Sequence, residues 1–369
     1  MIPNRLLSPA LVTGLLCFGQ TALAEEPVNP RPLAIWEPLG EITTGIGFRN
    51  NVLRSSIDNE NSPFVLTSGD LSLMRYSETG ALLMLYVLGE DIRYTDAPSV
   101  NYEQFLSGAV DISVPMGDRD ELGLLTSYLY QHQVFDASET EVDVRRVLVL
   151  GHSATLRPEW KHTFDGGWAA RIEGSVLRQI FEHQLDDYSE TDRMASLIYG
   201  YGNRSEALVS YQSTQRYYDT REQYDETGAA IAGTDLVYSQ NEVGSAWRHY
   251  WDADRYWRTL SKLSYLLNHD NGSGYFDYDR LLFRQHVRWD NGTWNVKVNA
   301  RFGWYFYPMQ KVGNEDRFRS SVLLDCRIER KLNKYLMLFT AGEHEWSTSN
   351  DPLDEYGSWM ASGGIGFEY

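Results

Sequence analysis

The sequence predicts an all-β chain, an up-and-down antiparallel transmembrane β-barrel of about 16 strands, with about 14 as the runner-up. Three observations predict it. TWNVKVNARFGWYFY (293–307) alternates throughout, with Trp294, Val296, Val298, Ala300, Phe302, Trp304 and Phe306 on one face and Asn295, Lys297, Asn299, Arg301, Gly303 and Tyr305 on the other. Successive strand side chains point to opposite faces, so this segment has an apolar wall and a wet, basic wall. Next, the connections between such segments alternate long and short along the chain, as they do when short turns occupy one rim of a membrane barrel and longer loops the other. Finally, the chain opens on an export signal and closes on an alternating segment that ends in an aromatic residue.

Met1 to Ala24 carries Arg5, an apolar middle and an Ala22-Leu23-Ala24 cleavage site, and reads as a secretory signal peptide. Cys17 follows Leu16 rather than a small residue, which argues against lipoprotein processing. Residues 25–40 are proline-rich and read as a leader, leaving 41–369 for the barrel. Beyond the signal only Cys326 remains, so an internal disulfide is excluded; on the apolar face it acts as a small hydrophobe. The formal charge of −18 excludes a basic nucleic-acid binder. The longest later apolar run, ALLMLYVLG, is far short of the roughly 20 residues of a membrane helix. Aromatic residues reach 13 %, with 24 Tyr and 11 Trp.

Candidate strands fall at 42–53, 64–77, 81–94, 103–115, 122–134, 145–160, 168–181, 192–201, 206–218, 236–250, 256–267, 275–289, 293–307, 317–330, 335–346 and 357–369. The short connections are SETGA, GDRDE, FDGG, GNRS, DADR, DNGT and LNKY. The longer, acidic ones are SSIDNENSP, DAPSVNY, DASETEVD, QLDDYSETD, DTREQYDETGAAIAGTD, NHDNGSG, QKVGNED and STSNDPLDEY. A propeller would show blade repeats, which are absent, and a sandwich has no reason to sort its loops by strand parity. Trp294 at one end of its segment and Trp304 with Phe306 at the other fit the aromatic girdles of a membrane barrel.

The last segment, GSWMASGGIGFEY, puts Trp359, Ala361, Gly363, Ile365, Phe367 and Tyr369 on one face. It resembles the C-terminal signature of bacterial outer-membrane β-barrels, which implies that Ile365, Phe367 and Tyr369 are the signal read by the barrel-assembly machinery. GFRNNVLRSS, GDLSLMRYSETG and GEDIRY resemble the barrel domains that follow tetratricopeptide repeats in surface-lipoprotein assembly modifiers. No such repeats occur here, and no function is carried over. The class as a whole implies export to the outer membrane of a Gram-negative cell, with lipid and lipopolysaccharide as surroundings. The acidic loops could bridge to that lipopolysaccharide through divalent cations.

A barrel of this width keeps an aqueous lumen unless something plugs it, so function rests on inward residues. Alternation gathers Arg258, Lys262, Arg280, Arg284, His286, Arg288, Lys297, Arg301, Arg317, Arg319 and Arg327 into an inward basic strip. Such a strip either guides anions or pairs with carboxylates as a structural charge ladder. Asp111 and Glu173 are inward acids on distant strands, and Tyr278 and Tyr305 are inward rings that could stack on sugars. The apolar centre of DETGAAIAGTD (225–235) is a candidate constriction, although a plain external loop fits it better. His132, His152, His162, His183, His249, His269, His286 and His344 are scattered, and His344 between Glu343 and Glu345 lacks the second histidine of a zinc-protease motif. No cofactor or metal is expected. The function expected is passive passage of small hydrophilic solutes, anions among them. An outer-membrane barrel enzyme, an assembly or secretion barrel without an open pore, and a soluble secreted all-β protein remain the alternatives.

Overall fold

Residues 36–77, 80–136, 146–182, 185–202 and 204–369 are described by a computed structural model. The expected signal, most of the leader, His183 and the DASETEVD loop from Ala137 onward lie outside these residues. Strands β1 (Glu37–Arg49), β2 (Ser62–Tyr76), β3 (Leu82–Tyr94), β4 (Tyr102–Met116), β5 (Asp120–Asp136), β6 (Arg146–Thr163), β7 (Trp168–Phe181), β8 (Tyr188–Tyr201) and β9 (Ser205–Tyr218) follow one another round a wall. A small hairpin, β10 (Gln223–Tyr224) with β11 (Ala230–Ile231), belongs to the longest loop. The wall continues through β12 (Val237–Tyr250), β13 (Trp257–Asp270), β14 (Tyr278–Asp290), β15 (Trp294–Val312), β16 (Glu315–Lys331), β17 (Leu336–Ser349) and β18 (Tyr356–Glu368). Among the described residues this is a closed barrel of 16 strands, each antiparallel to its neighbours, with β1 sealed against β18.

The alternation read from the sequence is the in/out pattern of the wall. Trp294, Val298, Trp304 and Phe306 are exposed on the exterior, while Lys297 and Tyr305 between them are buried in the interior. Exposed Trp160, Trp168, Trp247, Trp257, Trp294 and Tyr335 ring the end that carries the short turns; Tyr128, Tyr217, Tyr265, Trp304, Phe318 and Trp359 ring the other. Rings that are apolar in the body and polar at the tip belong at both interfaces of a bilayer. Several histidines join these girdles: His132 stacks on Tyr102 at 4.3 Å, His249 on Trp247 at 5.3 Å, and His344 leans on Trp346 at 4.8 Å.

The seam closes tightly. Gly40 and Tyr369 exchange backbone hydrogen bonds of 3.1 and 2.8 Å. Gly364 faces Gly45 across the seam, and a Cβ there would sit 2.6 Å from the Gly45 Cα and collide with the Thr44 carbonyl. The first strand begins inside the stretch expected as leader, because Glu37–Gly40 already pair with Leu71–Met74.

The connections follow the expected parity with one correction. QKVGNED is not a long loop: β15 and β16 run on beyond the rim to a two-residue turn at 313–314, after an irregularity between Tyr307 and Lys311. The Gly313-Asn314 pair, with Gly313 at φ 64°, is a tight-hairpin signal.

Two other loops turn inward at the long-loop end. From loop 50–61, Val52 is fully buried among Phe64, Leu66, Ile92, Val100, Phe339 and Met360. From loop 350–355, Asp354 is fully buried beside Arg317. The loop at 219–236 behaves differently. Its base is buried through Arg221 and Leu236, Tyr224 stacks on Tyr275 at 5.9 Å, and Ala230–Ile231 at the tip are exposed. The apolar centre of 225–235 is therefore an external loop tip, not a constriction.

Candidate functional site

The site is the lumen, and register rather than sequence spacing composes it. Every residue of the expected basic strip lies on an inward face, and the hydrogen-bonded alignment sorts them into rows across β12–β16. Nearest the short-turn end, Arg258, Arg288, Lys297 and Arg327 stand side by side on β13–β16. Carboxylates interleave with this row: Arg288–Asp290 at 2.6 Å, Lys297–Glu329 at 3.1 Å, Arg327–Glu329 at 2.6 Å and Arg327–Glu41 at 3.4 Å. Glu329 is also bonded by Asn295 at 2.7 Å. This row is a charge ladder that ties β14, β15, β16 and β1 together. His286 pairs with Asn299 one level up.

The middle row differs. Lys262, Arg284 and Arg301 are consecutive register partners on β13, β14 and β15. All three line the same cavity, of ≈ 300 Å³. Among the described residues neither Arg284 nor Arg301 has a carboxylate within ion-pair distance, and the Nε of each is buried without a hydrogen-bond partner.

Toward the long-loop end, Arg280 reaches Glu242 at 3.2 Å. Arg319 bonds Ser347 at 3.2 Å and lies 5.0 Å over the Tyr305 ring. Arg317 is locked to Asp354 at 2.5 Å and to Gln310 at 2.6 Å, 4.3 Å over Tyr307. Tyr278 and Tyr305, read from sequence as rings free to stack on solute, are instead packed with Leu266 and Tyr307 in an aromatic cluster and are almost fully buried.

The facing wall is acidic but largely occupied. Glu173 takes Arg171 at 2.9 Å, Glu190 takes Arg216 at 2.9 Å, and Glu206 takes Arg248 at 2.9 Å. Asp192 accepts from Ser175 at 2.7 Å, Gln212 at 3.1 Å and Thr214. Asp111 also faces inward, on β4, away from the basic strip. On the outer rim Asp219 is held below the usual carboxylate range by its hydrogen bonds to Arg178, at 2.8 and 2.5 Å.

The cross-lumen bracing has no signature in the sequence. Arg49 on β1 bonds Glu103 of β4 at 3.0 Å and Glu343 of β17 at 2.8 Å, with Tyr94 donating to Glu103 at 2.6 Å. Arg54, from loop 50–61, donates to the Val134 carbonyl of β5 at 2.9 Å and pairs with Glu345 of β17 at 3.2 Å. It therefore spans strands that are not neighbours in the wall and narrows the space between them.

His344 is exposed on the exterior while Glu343 and Glu345 point inward, so they form no common site. Ile365, Phe367 and Tyr369 are exposed on the exterior of the closing strand, in the face expected for them.

No known family pattern matches the chain, and no curated protein matches it in sequence. Among solved structures it is similar to OccAB1 of Acinetobacter baumannii, with 10 % identity, 90 % of this chain and 96 % of that one covered, and a TM-score of 0.46. It is also similar to OprD of Pseudomonas aeruginosa (10 %, 90 % and 94 %, 0.44) and to an anion-selective porin from Comamonas acidovorans (11 %, 90 % and 99 %, 0.45). At this distance the likeness is one of architecture. Its closed 16-strand antiparallel wall, with an apolar exterior between two aromatic rings and a charged interior, is porin-like in architecture.

Proposed function

We propose that the barrel is a passive channel for small hydrophilic solutes that prefers anions. The observation that carries this reading is the imbalance of compensation within one cavity. Most carboxylates on its wall are engaged by arginines, and Asp192 by hydroxyl and amide donors, whereas Arg284 and Arg301 have no carboxylate within ion-pair distance among the described residues. Charges a strand spacing apart, about 4.8 Å, lie inside the roughly 8 Å Debye length of physiological salt. Their joint field therefore acts on a passing ion, as cationic rings do in anion pores. Export across the inner membrane and insertion by the barrel-assembly machinery through Ile365, Phe367 and Tyr369 belong to the same reading. No catalytic role is assigned, since His344 faces away from both flanking acids.

The test is the reversal potential of single channels in a salt gradient, for the wild type and for Arg284→Glu combined with Arg301→Glu. The wild type should be anion-selective and the double variant shifted toward cations. A cation-selective wild type, or no shift in the variant, would overturn the preference; a folded barrel that never conducts would overturn the channel.

A further inference from the structure

We infer that the Lys262–Arg284–Arg301 row is a binding subsite for a doubly charged tetrahedral oxyanion, inorganic phosphate or a terminal phosphate monoester, and not merely a stretch of positive wall. The inference rests on the lumen being reachable by solute, as in the reading above, and adds the class of solute.

Three cationic side chains stand on three successive strands in one register row. Their spacing of about 4.8 Å per strand suits a ligand that presents several oxygens at once. A carboxylate offers two coplanar oxygens, whereas a phosphate offers one toward each strand. Charge points the same way. Two adjacent guanidiniums without a carboxylate repel each other, and a single dianion neutralises both. Arginine is suited to this task because its planar fork bonds oxyanions bidentately, and both Arg284 and Arg301 line the cavity with no carboxylate at ion-pair distance among the described residues.

The adjoining row supplies room. There Ser264, Leu282, Gly303 and Ser321 stand on β13, β14, β15 and β16, with Leu282 as the one apolar member. A Cβ at Gly303 would come within 2.9 Å of the Ser321 Oγ, so the glycine leaves that hydroxyl its place. Ser264 and Ser321 both line the cavity and offer hydroxyl donors beside the cations. The lower cationic row cannot serve in the same way, because Glu329, Asp290 and Glu41 already fill it.

The experiment separates a built site from general positive potential. Detergent-folded barrel, checked for heat-modifiable mobility, is titrated with inorganic phosphate, with glycerol phosphate and with acetate, and binding is read by calorimetry without any bilayer. Three proteins are compared: the wild type, Arg284→Gln/Arg301→Gln and the charge-preserving Arg284→Lys/Arg301→Lys. Saturable phosphate binding is expected in the wild type, stronger than that of acetate. It should be weakened about tenfold or more in the Lys variant, since lysine keeps the charge but loses the bidentate fork, and abolished in the Gln variant. Equal binding of inorganic phosphate and glycerol phosphate would mark the phosphoryl group as what is recognised; binding of inorganic phosphate alone would restrict the site to the free ion. Acetate binding as tight as phosphate, or a Lys variant as tight as wild type, would overturn the inference. Failure to conduct in bilayers with phosphate binding intact would overturn the channel while leaving the subsite standing.

Discussion

At the scale of single residues, what matters is which side of a thin wall a side chain occupies. Val298 and Asn299 are neighbours in sequence, yet Val298 is exposed on the exterior of β15 while Asn299 bonds Asp325 at 2.6 Å inside. An arginine at Val298 must enter lipid near mid-strand, at a cost of about 2–4 kcal/mol; an arginine at Asn299 enters a polar lumen and costs far less. Denaturant titration of the two variants in lipid bilayers should give clearly unequal losses, and equal losses would refute the face assignment. The interior carries its own penalties. Replacing Arg49 with alanine leaves Glu103 and Glu343 buried and unpaired, and breaking a buried ion pair in this way costs about 3–5 kcal/mol. The same titration should show a loss of that order, together with loss of the β1–β17 tie.

The last strand is the element on which closure depends. β18 pairs with β17 on one side and β1 on the other, and its final residues bond back to Gly40. Deleting Phe367–Tyr369 removes both the end of that ladder and the exposed aromatics expected to be read during assembly. The truncated protein should accumulate in the periplasm, as fractionation beside the wild type would show; normal outer-membrane yield would contradict the reading. Element positions were legible because a period of two leaves a mark on every strand, and each expected strand overlaps an observed one. QKVGNED was misjudged because its acidic, polar composition resembles a loop. Its residues instead continue two strands past the aromatic ring at the long-loop end, where an exposed hairpin is largely polar on both faces.

Across the whole molecule, width sets the problem and the inward loops address it. A barrel of this strand number is too wide for wall side chains to fill, and loop 50–61 occupies part of the space by burying Val52 and stretching Arg54 from β5 to β17. Arg54→Ala should loosen this brace and raise single-channel conductance above that of the wild type. Unchanged conductance would mean that the loop does not limit the pore.

The sequence by itself determined the barrel, a strand number of about 16, the apolar outer and polar inner faces and the inward set of arginines and lysines, because alternation and loop length are local properties that each segment records on its own. It left open which members of that basic strip meet carboxylates, and the tertiary structure decided this by height: the row nearest the short turns is laced with them, while Arg284 and Arg301 have none within ion-pair distance among the described residues. Lys297 meets Glu329, and Arg327 meets Glu41, only because β15, β16, β18 and β1 align in one register. Arg284 stands beside Arg301 for the same reason. Register is fixed by the whole closed sheet, and inward loops by the space left inside it, so neither is written in the residues that take part.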